Sequence, residues 1–326
     1  KQYLDKYNLS INDVNSFASA QKVLEEFHEK EPNIAALAVG QGYKTPGNVD
    51  YVLGNGLPFV VDVTGDGKKI QNVYDIPSYV ENLKLMHEYY TKGLIPADAA
   101  TSSTAYDLNS NNWFARIETQ GPYDYGDTIL TQAAGQELVS KPLTESLITT
   151  DQARVANFVV SNTSKHKKEA VQVLGLINSN EKLLNTLVYG IEGKQWEKTG
   201  DKKIKTLKSY SEGVTHMPAW NTGNNALLYT TDAVTDEMIA KRDESIKNAS
   251  VSPLLGFTFD QSKVKSEISN LSNVMSQYLD QLNTGSVDPT ETLPKLKDDL
   301  KKAGFDKVQK EMQAQYDDYL KSKESN

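Results

Sequence analysis

A ten-residue stretch, His216 to Asn225, combines a tryptophan with several carboxamide side chains. It reads HMPAWNTGNN, and Pro218 and Gly223 predict a loop or turn rather than a helix interior. The apolar face of a sugar ring can stack on the Trp220 indole, while asparagine side chains bond to its hydroxyl groups. The same residues also suit a half-buried core tryptophan beside a turn. The stretch alone leaves both interpretations open.

A second aromatic cluster lies in Gly121–Asp127, which reads GPYDYGD and follows a predicted strand at Trp113–Glu118. Tyr123 and Tyr125 flank Asp124 and are framed by glycine and proline. Loops after strands are where α/β proteins place ligand groups. A tyrosine-bearing surface loop without a ligand is the alternative interpretation.

Catalytic and metal-binding signatures are missing from the sequence. It has no cysteine, no Gly-x-Ser-x-Gly elbow, no His-Glu-x-x-His, no Walker loop and no dinucleotide fingerprint. The four histidines are scattered, although His216 could donate to a ligand. Asp62–Gly67 faintly resembles a calcium loop, but Val73 stands where the bidentate glutamate belongs, so a plain hairpin is predicted. We therefore expect binding rather than turnover, with no metal and no cofactor.

Length and charge narrow the class of protein. A chain of 326 residues exceeds one compact core and predicts two lobes. The net charge of −8 and the absence of a basic stripe argue against a nucleic-acid partner. No apolar run approaches the ~20 residues of a membrane span. The chain opens at Lys1 without an initiator methionine or a signal peptide, which we interpret as a processed chain or a fragment.

Helical and strand-like patterns alternate along the chain, which predicts an α/β fold. Strands are predicted at 33–39, 59–63, 113–118 and 156–160, a hairpin at 195–207 with its turn at 199–202, and helices at 10–31, 77–92, 167–177, 181–188, 231–249, 260–282 and 305–320. A further helix is predicted with Asp288 as its N-cap, Pro289 as its first residue and Gly304 at its end. In the 167–177 helix, the residues expected to face inward are Ala170, Val171, Leu174 and Ile177. These elements must position the two aromatic clusters.

Several runs together resemble a known family. Residues 161–180, 189–193 (YGIEG), 217–224 (MPAWNTGN) and 255–260 (LGFTFD) are similar to the extracellular solute-binding proteins of bacterial ABC sugar importers. The resemblance is closest to the lipoprotein branch of Gram-positive bacteria and covers nearly the whole chain. The Gly121–Tyr125 loop resembles the Gly-Pro-aromatic loop with which maltose-binding proteins stack sugar rings.

The resemblance implies an α/β periplasmic-binding-protein type II fold, with two lobes and a ligand cleft between them. It places a lobe 2 segment at 1–150, a lobe 1 segment at 151–212, and the return to lobe 2 with the C-terminal helices at 213–326. Mature family members are longer and begin at a lipid-modified cysteine. That cysteine is absent here, so Lys1 is expected to lie inside the family pattern, and an extracellular, lipid-anchored location is implied.

The implied function is capture of a sugar or oligosaccharide and its delivery to the transmembrane permease subunits by a monomeric, non-enzymatic binding protein. The rivals are a glycan-active hydrolase or lyase and a binding protein for a non-sugar such as a peptide. Tyr123, Tyr125 and Trp220 are predicted to stack on sugar faces. Hydrogen bonds are predicted from Asp124, Glu192, Asn221 and Asn224, with Trp113 and Trp196 as further ligand-binding candidates.

Overall fold

A computed structural model describes residues 1–54, 56–103, 106–118, 130–131, 134–211 and 216–324, without the side chains of Ala153, Ser211 and Trp220. The chain divides into two compact units. Unit 1 comprises Lys1–Thr150 and Ser245–Asn326, and unit 2 comprises Asp151–Glu244. Among the described residues, no helix has the length and apolar character needed to cross a membrane.

The described helices are α1 (Gln2–Tyr7), α2 (Gln21–Lys30), α3 (Pro77–Thr91), α4 (Thr150–Ala153), α5 (Lys167–Ser179), α6 (Glu181–Tyr189), α7 (Lys208–Ser211), α8 (Ala219–Thr222), α9 (Asp236–Asn248), α10 (Lys265–Asn283), α11 (Pro289–Lys302) and α12 (Phe305–Glu324). The strands are β1 (Ala35–Leu37), β2 (Val49–Tyr51), β3 (Phe59–Asp62), β4 (Gln71–Asn72), β5 (Trp113–Ala115), β6 (Leu147–Ile148), β7 (Trp196–Gly200), β8 (Lys203–Thr206), β9 (Thr230–Thr231) and β10 (Ser250–Val251). The mixture of helices and strands agrees with the predicted α/β class.

In unit 1, β2, β3 and β4 form an antiparallel sheet that the three C-terminal helices cover. Phe59 on β3 stacks on Phe305 at the start of α12, with ring centroids 4.7 Å apart. The apolar stripe of α10, with Leu271 and Met275 fully buried, packs in the same core. The chain from Leu254 onward therefore completes a core that residues 49–83 begin.

A second core of unit 1 surrounds the parallel pair β1 and β5. Phe27 on α2 stacks on Phe114 of β5, with ring centroids 4.1 Å apart. Helix α3 serves both cores, because Leu83 faces one and Met86 and Tyr89 face the other. A proline at the start and a glycine after the end correctly predict α3. Pro77 is its first residue, and Gly93, just beyond its last turn, adopts φ 74°.

The Asp62–Gly67 segment forms the connection between β3 and β4, as the hairpin prediction requires. The Asp62 carboxylate accepts from the backbone N–H of Thr64 at 2.9 Å, and Asp66 accepts from that of Lys68 at 3.0 Å. These two carboxylates thus accept hydrogen bonds from backbone N–H groups of their own turn. Within the described ranges, no group of three or more His, Asp or Glu side chains could hold a metal ion.

Unit 2 has a smaller core built from α5, α6 and the sheet β7–β8–β9. The predicted hairpin is present, with β7 and β8 antiparallel and Lys202 in the connecting turn at φ 54°. Trp196, Ile204 and Leu184 are buried at its centre. The sheet is completed by β9, which pairs parallel to β8.

Two sequence predictions differ from the structure. Residues 10–17 are not helical, because the serine hydroxyls of this segment bond to nearby backbone amides: Ser19 Oγ accepts from the N–H of Asn15 at 3.0 Å. The predicted strand at 156–160 has no strand structure. The described residues 216–244 belong to unit 2, where Leu228 and Tyr229 pack in its core. The predicted lobe boundaries, including the return at residue 213, and the correspondence of units to lobes stay predictions.

Candidate functional site

The Trp220 motif is fixed to unit 2 by its backbone. Met217 donates its N–H to the Leu187 carbonyl oxygen on α6 at 2.9 Å. Pro218 then precedes the single turn of helix α8, and the hydroxyl of the fully buried Thr222 donates back to the Pro218 carbonyl at 2.5 Å. The motif is thus a short helix and turn rather than an open loop, and its backbone is bonded to α6.

At Gly223, which follows α8, the chain passes close to α5 and α6. A Cβ atom on Gly223 would lie 2.7 Å from Cγ2 of Ile177, 2.9 Å from its carbonyl oxygen and 3.0 Å from Cδ1 of Leu184. The backbone of Gly223 is extended, at φ −179°, so the requirement is for space rather than for unusual dihedral angles. This close approach sets the position of the carboxamides that follow.

The two carboxamides proposed as ligand groups differ in their surroundings. Asn224 is exposed, and its side-chain oxygen accepts from the N–H of Ala226 at 3.2 Å, which caps the 3-10 helix Asn225–Leu227. Asn221 lies on α8 and is half-buried. An amide that caps a turn through its oxygen keeps its NH₂ group for other acceptors.

The YGIEG run forms a turn after α6 with Glu192 at an exposed position. Gly190 and Gly193 adopt φ of 86° and 77°, which only glycine reaches without strain. The side-chain oxygen of Gln195 accepts from the N–H of Ile191 at 2.8 Å and holds the turn closed. The Glu192 carboxylate is therefore carried by an ordered backbone and faces water, as a ligand-binding group requires.

Trp196 and Trp113 are both buried, and their indole N–H groups bond to backbone carbonyls. Trp196 is only 5% exposed, and its indole N–H donates to the Gly190 carbonyl at 2.9 Å. Trp113 is 7% exposed, and its indole N–H donates to the Asp107 carbonyl at 2.9 Å. Both rings are buried and both donors are satisfied, so the geometry favours the structural interpretation for these two residues.

Tyr210 and His216 form an aromatic pair at the start of the motif, and the sequence analysis did not single out Tyr210. Their rings stack with centroids 4.3 Å apart and an interplanar angle of 19°. Burial raises the pKa of the Tyr210 hydroxyl, while the His216 ring is exposed. The only sequence signal was the general abundance of tyrosine.

Asn185 is a second residue that sequence reasoning missed. It lies on α6, is 1% exposed, and its amide nitrogen donates to the Leu227 carbonyl at 2.9 Å. Its oxygen accepts from the N–H of Tyr229 at 2.8 Å. Asn185 therefore ties the segment after the motif to α6; the available signal was a polar residue within an apolar helical stripe.

The remaining predicted residues cannot be placed. Tyr123, Asp124 and Tyr125 lie outside the described residues, and so does the side chain of Trp220. Among the predicted residues with described side chains, unit 2 contains Glu192, Trp196, Asn221 and Asn224, and unit 1 contains Trp113.

Comparison with known proteins extends along almost the whole chain. It is 44% identical over 323 residues to a carbohydrate ABC transporter substrate-binding protein of Streptococcus pneumoniae serotype 4 (strain ATCC BAA-334 / TIGR4). That alignment covers 98% of this chain and 66% of the relative. The crystal structure of the N-glycan transport solute binding protein NgtS from Streptococcus pneumoniae matches with a TM-score of 0.93 and 44% identity, over 99% of this chain and 72% of that one.

This chain belongs to the substrate-binding proteins of carbohydrate ABC transporters. The match confirms the predicted family and the two-lobed α/β binding-protein fold. The relatives are transport binding proteins rather than enzymes, in agreement with the predicted class. NgtS in complex with Man5GlcNAc also matches, with a TM-score of 0.90 and 44% identity, over 99% of this chain and 71% of that one.

A family model described as a domain of unknown function, DUF3502, matches residues 253–321. In this family member the segment is not a separate domain, because it spans α10, α11 and most of α12 in the core of unit 1. Gln309 and Gln313 on α12 bond to the backbone oxygen and nitrogen of Ile70, each at 2.8 Å. The segment closes the edge of the β2–β3–β4 sheet.

Proposed function

We propose that this protein is the substrate-binding component of an ABC importer, which captures a sugar or oligosaccharide outside the cell and delivers it to a membrane permease. The observation that carries the proposal is the 44% identity to a carbohydrate substrate-binding protein across 98% of this chain. The chain spans 66% of that relative's length, so the activity of the whole protein is inferred. An extracellular, lipid-anchored location and action as a monomer belong to the same proposal.

The ligand class we propose is an N-glycan-type oligosaccharide. NgtS, at 44% identity, has been crystallised with Man5GlcNAc and with Man1GlcNAc. A ligand of this kind is neutral and rich in hydroxyl groups. The exposed amide of Asn224 and the exposed carboxylate of Glu192 suit such hydroxyls, since one can donate and the other accepts.

Stacking on the aromatic residues supplies the rest of the proposed recognition. Trp220 would lie against one sugar face, held by the α8 backbone described above. Tyr123 and Tyr125 are proposed to stack on other sugar units, with Asp124 and Asn221 bonding to hydroxyls. Trp113 and Trp196, whose indoles are buried, are the weakest candidates.

Binding of Man5GlcNAc measured by calorimetry tests the proposal. Trp220→Ala is expected to weaken the affinity about tenfold or more, equivalent to about 1.4 kcal/mol, whereas Trp220→Phe keeps a stacking ring and loses less. Unchanged far-UV circular dichroism would show that both variants fold. If the wild-type protein binds none of a panel of mannose- and N-acetylglucosamine-containing oligosaccharides, the ligand class is wrong.

The enzyme alternative has a separate test. Incubation with the same oligosaccharides, followed by chromatography, would reveal shortened products if the protein were a hydrolase or lyase. A peptide ligand would instead raise the melting temperature in a thermal-shift screen, because a ligand that binds only the native state stabilises it. We expect no turnover, and stabilisation by oligosaccharides only.

A further inference from the structure

Three aromatic rings of unit 2 run from its core to its surface beside the two candidate ligand segments. Tyr189 ends α6 and begins the YGIEG run, and it is buried. Its ring centroid lies 6.2 Å from that of Tyr210 on α7, at an interplanar angle of 44°. Tyr210 in turn stacks on His216, with centroids 4.3 Å apart, and His216 is exposed. We call these three residues the aromatic ladder.

Backbone contacts fix the middle of the ladder. The N–H of Leu207 donates to the Gln195 carbonyl at 2.8 Å, just before α7. The hydroxyl of Ser209, within α7, donates to the Lys194 carbonyl. These two bonds join α7 to the end of the turn that carries Glu192. The ladder therefore connects the YGIEG turn to the Trp220 motif.

The outer ring, His216, is held from two directions. It directly precedes Met217, whose N–H bond to the Leu187 carbonyl ties the Trp220 motif to α6. One face of the imidazole lies against Tyr210 at an interplanar angle of 19°. A side chain that is already ordered before binding does not have to lose its rotamer freedom when a ligand arrives. His216 is thus prepared to contact a ligand at low entropic cost.

Packing accounts for Tyr210 but not for His216. Tyr210 is partly buried and packs against the core of unit 2, and this burial raises the pKa of its hydroxyl. His216 is exposed, so its stacking adds little to that core. Among the described residues, Tyr210 is the one ring that contacts His216, which leaves the opposite face of the imidazole available.

The edge of the His216 ring offers polar recognition as well. Its Nδ1 atom lies 3.5 Å from the Tyr210 hydroxyl, and no described residue bonds to its Nε2 atom. A neutral imidazole has one nitrogen that donates and one that accepts, so Nε2 can bond to a hydroxyl group of a ligand. A sugar unit has an apolar C–H face bordered by hydroxyls. This chemistry matches a ring with one open face and one open polar edge.

We propose that His216 is a further ligand-binding residue, whose open face stacks on a sugar unit of the oligosaccharide, and that Tyr210 is the positioning residue that holds its ring in place. The inference rests on the proposed function and deepens it, because it adds a second stacking ring to the motif of Trp220. Four residues span at most ~14 Å between Cα atoms. One oligosaccharide can therefore contact both His216 and Trp220.

Calorimetry with Man5GlcNAc tests the role of His216. His216→Ala is expected to weaken the affinity about three- to tenfold, because it removes both the stacking face and Nε2. His166→Ala is the matched control: His166 is exposed in the same unit, precedes α5 and makes no side-chain capping bond there, so its affinity should equal that of wild type. Unchanged affinity of His216→Ala would overturn the proposal.

Nuclear magnetic resonance distinguishes direct contact from an indirect effect. In a protein containing isotope-labelled histidine, the ring signals of the four histidines are followed during a titration with Man5GlcNAc. His216→Ala identifies the His216 signals by their absence. The Cε1–H and Cδ2–H signals of His216 are expected to shift up to saturation, while those of His166 stay in place. No shift at His216, or an equal shift at both residues, would contradict the contact.

Substitutions at Tyr210 test its positioning role. Tyr210→Phe keeps the stacking ring and should bind like wild type. Tyr210→Leu keeps apolar packing but removes the ring, and should weaken binding about as much as His216→Ala. The double variant Tyr210→Leu/His216→Ala should bind no more weakly than His216→Ala alone, because Tyr210 acts through His216. Losses that multiply in the double variant would refute the positioning role.

Failure of the proposed function is distinguishable from failure of this inference. If the wild-type protein binds none of the mannose- and N-acetylglucosamine-containing oligosaccharides, the proposed ligand class is wrong and the inference falls with it. If the wild type binds Man5GlcNAc and His216→Ala binds it equally well, only the inference is wrong. Weaker binding by His216→Ala, with unchanged circular dichroism, supports both.

Discussion

The indole nitrogen of Trp196 lies 2.9 Å from the carbonyl oxygen of Gly190, to which it donates a hydrogen bond. This bond joins the first residue of β7 to the turn that carries Glu192. The ring packs edge-on against Tyr229, with centroids 5.7 Å apart, in the core of unit 2. Trp196 therefore stabilises the turn that carries Glu192, a candidate ligand-binding residue.

Trp196→Ala is expected to destabilise unit 2 by about 3–5 kcal/mol, because it removes the largest side chain of that core and leaves the Gly190 carbonyl without its donor. Urea denaturation followed by circular dichroism measures the change. Ile191→Ala, at a 54% exposed position five residues earlier, should change stability by less than ~0.5 kcal/mol. A small effect of Trp196→Ala would contradict its burial.

Gly223→Ala is expected to destabilise the protein by about 1–3 kcal/mol, since the new methyl group would overlap Ile177 and Leu184. Gly175→Ala is the contrasting control. Gly175 lies inside α5 with no atom within 4 Å of an added Cβ, so alanine there should stabilise the helix by up to about 1 kcal/mol. Thermal melts of the two variants should shift in opposite directions; a shift in the same direction would refute the packing argument.

The Glu181 ion pair gives unit 2 a pH dependence. Hydrogen bonds from Lys202 and then Tyr229 lower the pKa of Glu181 from its ordinary value of 4.5. Stability from a lowered carboxyl pKa is present above the ordinary value and is lost as the pH falls through the folded-state value. Glu181→Gln should therefore lower the unfolding midpoint at pH 7, and the difference from wild type should disappear as the pH falls below 4.5.

Unfolding midpoints measured across that pH range test the assignment. Glu197→Gln, at an exposed position on β7, is the control and should follow the wild-type curve. A Glu181→Gln curve parallel to wild type at every pH would show that the ion pair does not contribute.

The side-chain amide of Gln313 bonds to the backbone of residues 68–70, just before β4, in the way a neighbouring strand would. Its oxygen accepts from the N–H of Ile70 at 2.8 Å, and its nitrogen donates to the Lys68 carbonyl at 2.9 Å. Gln313→Ala leaves both backbone groups without these partners and should cost about 1–3 kcal/mol. Lys310→Ala, exposed on the same helix, should cost less than ~0.5 kcal/mol by urea denaturation. Equal effects of the two substitutions would argue against a role for the amide.

Local patterns predicted the elements whose stabilising contacts lie within their own sequence. Helix α3 has its proline start and glycine end, α11 begins where Asp288 caps Thr290 at 2.7 Å, and the β7–β8 turn lies at its predicted residues. These signals act over a few residues, so a single sequence contains them. Helix α5 was also predicted, but Val171, expected to face inward, is 60% exposed.

The errors occur where the outcome depends on distant partners. The strand predicted at 156–160 has suitable residues but no described partner, and a strand cannot form alone. Asn185 on α6 bonds to the backbone of Leu227 and Tyr229, and no local pattern reveals these contacts. The interpretation of Trp113 and Trp196 likewise required burial, since sequence alone does not distinguish a core indole from an exposed one.

The hydroxyl of Tyr316 donates to the Gly67 carbonyl across 249 positions of the chain, at 2.7 Å. The core of unit 1 consequently cannot close while the ribosome is still adding α12, and at about 5–20 residues per second the first strands wait many seconds for their covering helices. During that interval this core stays incomplete, whereas unit 2, at Asp151–Glu244, contains all of its own residues before α12 is made.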